Sequence, residues 1–119
     1  MKQLTITIPQ KSVTIGSNIG LADTSMTRLF GLLGKSGLEP GAGILIRPSS
    51  GVHTLGMRFA IDVVALDRNL CVVKLWPQLR PWRLTSVSLK TQSVLELAPG
   101  QIQQCGIEAG DHLAITENA

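Results

Sequence analysis

Polar and apolar residues alternate at the start of the chain. In residues 4–8, leucine and isoleucine are separated by threonines, and a period of two is typical of a half-buried strand. Pro9 interrupts this pattern, and Val13 and Ile15 resume it. The sequence therefore predicts an opening β-hairpin.

A helical period replaces this alternation after Asp23. Apolar side chains then recur at i, i+3, i+4 and i+7, in Met26, Leu29, Phe30 and Leu33. This spacing forms one apolar stripe on a helix. Asp23 or Thr24 can cap the N-terminus, and Gly34 favours termination. The pattern predicts one short helix over residues 24–34.

The remaining pattern predicts short strands separated by turns. Residues 59–66 and 70–76 are rich in β-branched side chains and flank an Asp-Arg-Asn turn, which indicates a second hairpin. Pro77 and Pro81 indicate a loop over residues 77–81. Further strands are expected at residues 43–47, 87–89, 93–97 and 112–116, and one helical turn at 101–105. We therefore expect one mainly β domain over residues 1–119, a β-sandwich or distorted barrel with a helix on its side.

Composition and charge narrow the kinds of partner. Hydrophobic residues make up 44% of the 119 residues and aromatic residues 3%, which excludes a disordered chain and disfavours sites that stack several bases. Seven of the eleven lysines and arginines lie between Arg47 and Lys90, whereas residues 91–119 contain four acids and no base. The basic middle favours an anionic small molecule or protein as partner, and nucleic acid is disfavoured. Alternatively, the acidic C-terminal strands pair with the basic ones.

Neither a membrane segment nor a cofactor motif is evident. No apolar run reaches the length of a membrane-spanning helix, and the alternating N-terminus does not resemble a signal peptide. We therefore expect a cytoplasmic protein that is not inserted in a membrane. Cys71 and Cys105 lack C-x-x-C spacing, so no zinc site, other metal or cofactor is predicted.

The segment from Gly51 to Asp67 places three polar side chains in apolar surroundings. His53 follows a loop and is suited to proton transfer or to ligand binding. Gly56 indicates a bulge or a close backbone approach. In an unbroken strand Arg58 and Asp62 would share a face with Thr54, and Asp62 is expected to accept hydrogen bonds from backbone amides or an arginine. These residues are either a structural polar cluster or the edge of a site.

Two further features complete the candidate site. Glu96 lies between leucines, where burial would raise the pKa of its carboxyl group. It is a candidate acid or base, or a structural partner of a buried arginine. The segment from Trp76 to Arg83 holds both tryptophans, and its Arg80, Trp82 and Arg83 fit either an anion-binding loop or a rim that packs on the core.

The chain resembles the family called domain of unknown function 192. The resemblance runs from about Ala22 to Ile115, through the segments R-L-F-G-L-L, G-A-G-I-L-I, V-H-T-L-G-M-R-F-A-I-D-V-V-A-L-D, V-L-E-L-A-P-G and G-I-E-A-G-D-H-L. The H-T-x-G-M-R-F-x-I-D block is its most specific part and marks one branch, because other branches carry W-M-x-N-T there. The chain also has Gly-Ile-Leu at 43–45 where the family usually has Gly-Met-Leu.

This resemblance implies a β-sandwich or jelly-roll-like fold with a short helix, and no established activity. Many relatives carry export signals, which favours an accessory role at the cell envelope or in secretion. Our first hypothesis is a non-catalytic binding module. Its predicted ligand-binding residues are His53, Thr54, Arg58, Asp62, Arg80, Trp82, Arg83 and Glu96. The alternative is a small hydrolase or lyase in which His53 acts as base with Asp62 or Glu96.

Overall fold

The computed structural model describes residues 1–24, 27, 28, 32, 34–86 and 88–119. In this part of the chain seven strands form one sheet, in the order β5-β4-β6-β3-β2-β1-β7. Strands β2 and β3 are parallel, and every other neighbouring pair is antiparallel. The strands are β1 (Gln3–Ile8), β2 (Val13–Ala22), β3 (Ala42–Ile46), β4 (Ile61–Leu66), β5 (Val72–Leu79), β6 (Ser93–Leu97) and β7 (Ala114–Glu117).

Besides the helical residues Thr27 and Arg28, the described part of the chain contains two short helical elements. A 3-10 turn (Pro9–Lys11) joins β1 to β2, and helix α1 (Gln101–Cys105) follows β6. Gly106 ends α1 in the left-handed conformation, with φ of 66°, which a residue without a Cβ adopts without strain. The predicted helical turn at residues 101–105 and the glycine that closes it are therefore confirmed.

The sheet curves, but it does not close into a barrel. β5 and β7 are the edge strands, and the segments just before them meet at an isolated antiparallel bridge between Cys71 and His112. The predicted mainly β class is confirmed, and the single curved sheet is its observed form.

Both faces of the central strands are buried. All six residues of β4 and all five of β6 are buried, and strand alternation divides them between two cores. The first core lies on the face that carries Val64, Leu95 and Leu97. The second lies on the opposite face, with Ile61, Val63 and Val94. Residues from the segments 52–59 and 76–79 help to cover this second core.

The two predicted hairpins are confirmed, with shifted boundaries. β1 pairs with β2, and β4 pairs with β5 around the turn at Asp67. One Asp67 oxygen accepts hydrogen bonds from the backbone amides of Asn69 and Cys71, at 2.8 and 3.0 Å, so the side chain fixes the turn. β2 extends to Ala22, because it pairs with β3 on its other side.

Three local predictions are wrong. Residues 77–79 belong to β5, whose register shifts opposite Asp62, so Pro77 is accommodated at a β-bulge. Residues 88 and 89 form a turn instead of a strand, with Thr91 donating its amide hydrogen to Ser88. Gly56 lies in a turn and not in the predicted bulge. Met57 N–H donates to the Thr54 carbonyl across this turn, and the φ of Gly56 is 79°.

The predicted helix over residues 24–34 lies mostly outside the described residues. Thr27 and Arg28 are helical, and Arg28 N–H donates to the Thr24 carbonyl at 2.9 Å. The hydroxyl of Thr24 accepts a hydrogen bond from the Thr27 amide at 3.1 Å. Thr24 is therefore the residue that caps this turn, as one of the two predicted candidates.

Candidate functional site

The buried side chain of Thr54 joins two segments that lie outside the main strands. Its hydroxyl donates to the Arg80 carbonyl at 2.7 Å and accepts from the Arg83 amide at 2.8 Å. The Thr54 backbone adds hydrogen bonds to the Arg83 carbonyl and the Trp82 amide, at 2.8 and 2.9 Å. Thr54 is fully buried, so it is a clamp that holds residues 80–83 against the segment 52–57.

Asp62 lies on the side of the first core and holds the chain just before Arg80, at Gln78. It is fully buried in β4, and its two carboxylate oxygens accept from the backbone amides of Gln78 and Ile102, at 2.8 and 2.7 Å. One bond stabilises the bulge of β5 and the other holds the first turn of α1. The predicted acceptance of backbone hydrogen bonds by Asp62 is confirmed, and these contacts account for its burial.

These two clamps hold the backbone from Gln78 to Arg83 in a conformation that costs free energy. Gln78 and Trp82 have φ of 51° and 63°, in the left-handed region that side chains other than glycine disfavour. Trp82 is nevertheless 66% exposed. A large aromatic side chain is therefore held in solvent by a backbone that buried polar groups stabilise.

The exposed side chains of the two clamped segments form what we call the arginine–tryptophan surface. His53 and Leu84 form an antiparallel bridge. The flanking hydrogen bonds, Thr54 N–H to Arg83 O and Thr85 N–H to Val52 O, make it a non-hydrogen-bonded pair, in which cross-strand side chains lie closest. The surface consists of His53, Leu55, Arg58, Arg80, Trp82, Arg83 and Leu84, all of which are exposed.

The ion pairs of the described residues lie away from the arginine–tryptophan surface. The described ion pairs join Lys2 to Glu117, and Lys11 to both Glu108 and Asp111. Three of the four C-terminal acids thus pair with N-terminal lysines, and no described ion pair involves the basic middle, contrary to the predicted alternative. Among the described residues, no carboxylate lies within ion-pair distance of Arg58, Arg80 or Arg83.

Glu96 lies on the other side of the sheet from Asp62. It pairs directly with Val63 in β4 and with Ile44 in β3, so its side chain points into the second core, whereas Asp62 points into the first. Only 4% of Glu96 is exposed. Burial raises the pKa of its carboxyl group to about 7, because the apolar surroundings disfavour the ionised form.

The hydrolytic alternative requires His53 beside Asp62 or Glu96, and the described hydrogen bonds include neither contact. Asp62 and Glu96 cannot act on one substrate from opposite faces of a sheet. Both oxygens of Asp62 are engaged by backbone amides, and His53 is exposed, with no hydrogen bond to either carboxylate within the described part of the chain. The residues that could be described also include no group of three or more metal-binding side chains.

The comparisons with known proteins identify the family. The family model DUF192, "Uncharacterized ACR", matches residues 5–115. The chain belongs to the DUF192 family. A UPF0127 protein of Pyrococcus furiosus is 32% identical over 106 residues, which cover 87% of this DUF192 chain and 90% of the relative.

Two crystal structures share the fold of this DUF192 chain. One, from Novosphingobium aromaticivorans, is described as a protein of unknown function, with a TM-score of 0.80 at 19% identity over 94% of this chain and 83% of the other. The second, from Sinorhizobium meliloti, is described as a putative transcription regulator. It has a TM-score of 0.80 at 18% identity over 95% of this chain and 92% of the other. At these identities the similarity establishes the fold alone.

The predicted site residues of the DUF192 chain fall into three groups. Thr54 and Asp62 are buried clamps, and Glu96 is buried in the second core. The other five are exposed on the arginine–tryptophan surface: His53, Arg58, Arg80, Trp82 and Arg83. Of the four residues predicted between Gly51 and Asp67, the structure thus buries Thr54 and Asp62 and exposes His53 and Arg58. Sequence reasoning did not select Leu55 and Leu84, because an isolated leucine is compatible with burial as well as with exposure.

No described helix has the length and apolar character needed to cross a membrane. The described segments also line two shallow grooves, of about 400 and 460 Å³, neither of which includes a predicted ligand-binding residue.

Proposed function

We propose that this DUF192 chain is a non-catalytic binding module that recognises an acidic protein partner through the arginine–tryptophan surface. The observation that carries the proposal is the exposure of Trp82, at 66%, between two exposed arginines on a backbone fixed by Thr54. Tryptophan and arginine are the side chains that most often dominate protein interfaces.

Charge complementarity indicates an acidic partner. Residues 71–95 contain four bases and no acid, and the described ion pairs lie elsewhere, at Lys2 and Lys11. A complementary acidic segment would bring these charges together and speed association. The envelope or secretion role that the family resemblance implies fits such an accessory module.

The apolar side chains favour a protein over a small anion. Trp82 and Leu84 are 66% and 71% exposed, and Leu55 is exposed beside them on the paired segment. A small inorganic anion would cover the arginines and leave these side chains in water. An amphipathic acidic segment covers both, because its apolar side chains bury the tryptophan and leucines while its carboxylates contact the arginines.

Tryptophan fluorescence provides a direct test. The chain has two tryptophans, so a Trp76→Phe variant leaves Trp82 as the only one. We expect the Trp82 emission to change on titration with a copolymer of L-glutamate and L-leucine. The affinity for this peptide should fall with added salt. Replacing Trp82 by Ala in the otherwise unchanged protein should weaken binding about fivefold or more. Calorimetry measures this change in affinity.

Arg68 offers a matched control for charge. It is exposed in the β4–β5 turn, at the opposite end of β5 from Arg80 and about 25 Å away. Replacing both Arg80 and Arg83 by Gln should weaken binding about tenfold, whereas Arg68→Gln should change it little. Equal effects of the two changes, or an unchanged Trp82 emission, would refute the proposal. Tighter binding of duplex DNA than of the peptide would also refute it.

A further inference from the structure

Cys71 and His112 face each other across the bridge that joins the two edges of the sheet. Leu113 N–H donates to the Leu70 carbonyl at 2.9 Å, and Val72 N–H donates to the Asp111 carbonyl at 2.8 Å. These bonds flank the bridge, so the two residues form a non-hydrogen-bonded pair, in which side chains approach closely. The Cys71 Sγ lies 3.3 Å from Nδ1 of His112.

The backbone on both sides of this pair is fixed. Asp67 Oδ1 accepts from the Cys71 amide at 3.0 Å, and the Cys71 carbonyl accepts from the Asp67 amide at 3.0 Å. On the other strand, Lys11 Nζ binds Asp111 Oδ2 at 2.8 Å and Glu108 Oε1 at 2.9 Å. The backbone that carries the sulfur and the imidazole is therefore fixed, and these contacts engage the neighbouring Asp67 and Asp111 side chains.

We propose that Cys71 and His112 form a reactive thiol–imidazole pair, at which Cys71 exchanges reversibly with low-molecular-weight disulfides. The Cys71 sulfur attacks one sulfur of the disulfide, and its proton passes to Nδ1 of His112. A new S–S bond forms to Cys71 as the disulfide's own S–S bond breaks. The leaving sulfur departs as a thiolate with the electron pair, so Cys71 is oxidised and the leaving group is reduced.

Accessibility supports this assignment. Cys71 is partly exposed and His112 is exposed, so a small disulfide can reach the sulfur. Cys105, the other thiol of the chain, lacks an imidazole within hydrogen-bonding distance among the described residues. Its Sγ lies 3.9 Å from Gln101 Oε1, and burial raises the pKa of its thiol, which lowers the fraction of thiolate. Cys105 is thus an internal reference.

Exchange with 5,5′-dithiobis(2-nitrobenzoic acid), an aromatic disulfide, tests the pair in the full chain at pH 7. The Cys105→Ser variant reports Cys71, and the Cys71→Ser variant reports Cys105. We expect Cys71 to react about tenfold faster than Cys105, and His112→Asn to slow Cys71 about threefold or more. The matched change His53→Asn, at the other histidine, should leave the rate unchanged. In 8 M urea the two thiols should react at similar rates.

The same variants distinguish the pair from a merely exposed thiol. Incubation with oxidised glutathione should add one glutathione at Cys71, detected by mass spectrometry and reversed by dithiothreitol. Retention of the fast rate in His112→Asn, or equal native rates of Cys71 and Cys105, would overturn the proposal. A rate difference between Cys71 and Cys105 that persists in urea would also overturn the proposal. The local sequence, and not the folded pair, would then cause the difference.

Discussion

Replacing Glu96 by Gln should stabilise the protein at alkaline pH and leave its stability unchanged in acid. Burial raises the pKa of Glu96 from 4.5 to about 7 in the folded state. The unfolded state therefore loses the proton more readily, and stability falls as the pH rises from about 4.5 through 7. Since one pKa unit corresponds to about 1.4 kcal/mol, the full loss above pH 7 is about 3 kcal/mol. Glutamine has the shape of the protonated acid and does not ionise.

Urea unfolding of both proteins between pH 4 and pH 8.5, followed by circular dichroism, measures this difference. The free energies of unfolding should agree near pH 4 and diverge to about 3 kcal/mol above pH 8, with the variant more stable. Glu39→Gln is the matched control, because Glu39 is exposed and the same chemical change there should have little effect at any pH.

The pH dependence distinguishes this explanation from simpler ones. A constant difference between the two proteins at every pH would indicate altered packing instead of ionisation. A variant that is less stable at pH 8 would show that the ionised carboxylate of Glu96 contributes favourable interactions in the folded protein. Either result would refute the reasoning from burial.

Three further substitutions test the clamps and the sheet. Thr54→Val should reduce the free energy of unfolding by about 2 kcal/mol, because it leaves buried backbone groups unpaired. Thr54→Ser keeps the hydroxyl and should retain most of this stability; urea unfolding measures both variants. Asp62→Asn should destabilise by about 3 kcal/mol at pH 7, since an amide nitrogen cannot accept from a backbone N–H, and thermal unfolding reports the loss. Gly43→Ala should cost about 2 kcal/mol, because its Cβ would overlap the Glu96 backbone oxygen; chemical unfolding tests it.

Local patterns predicted most of the sheet. Alternation in residues 4–8 and the β-branched runs on both sides of Asp67 identified the two hairpins, since both features depend on neighbouring residues. The bulge at Pro77 could not be predicted this way. Proline disfavours a ladder, and what keeps residues 77–79 in β5 is the long-range hydrogen bond from Gln78 to Asp62. Such bonds depend on how β4 and β5 align, which local sequence does not specify.

The candidate site was predicted by residue type more than by position. His53, Arg58 and the Arg80–Arg83 segment were selected for their chemistry, and the structure exposes them. How His53, Thr54, Arg58 and Asp62 lie relative to one another depends on whether residues 53–62 form one strand. The turn at Gly56 breaks that strand, so Thr54 and Asp62 no longer share a face. The pairing of Cys71 with His112 had no signal in the sequence, since 41 residues separate them.

The two buried carboxylates show why neighbouring strands must be aligned before roles are assigned. Asp62 and Glu96 are both acids in apolar runs, and a one-residue change in the register of β4 and β6 would put them on the same face. In the observed register, Asp62 meets backbone amides at Gln78 and Ile102, whereas Glu96 meets Ile44 and Val63. The same chemical group therefore stabilises the fold at one site and opposes it at the other. Because the clamp at Asp62 also holds the bulge before Arg80, its loss should disturb the arginine–tryptophan surface, while neutralising Glu96 should leave binding intact and raise stability.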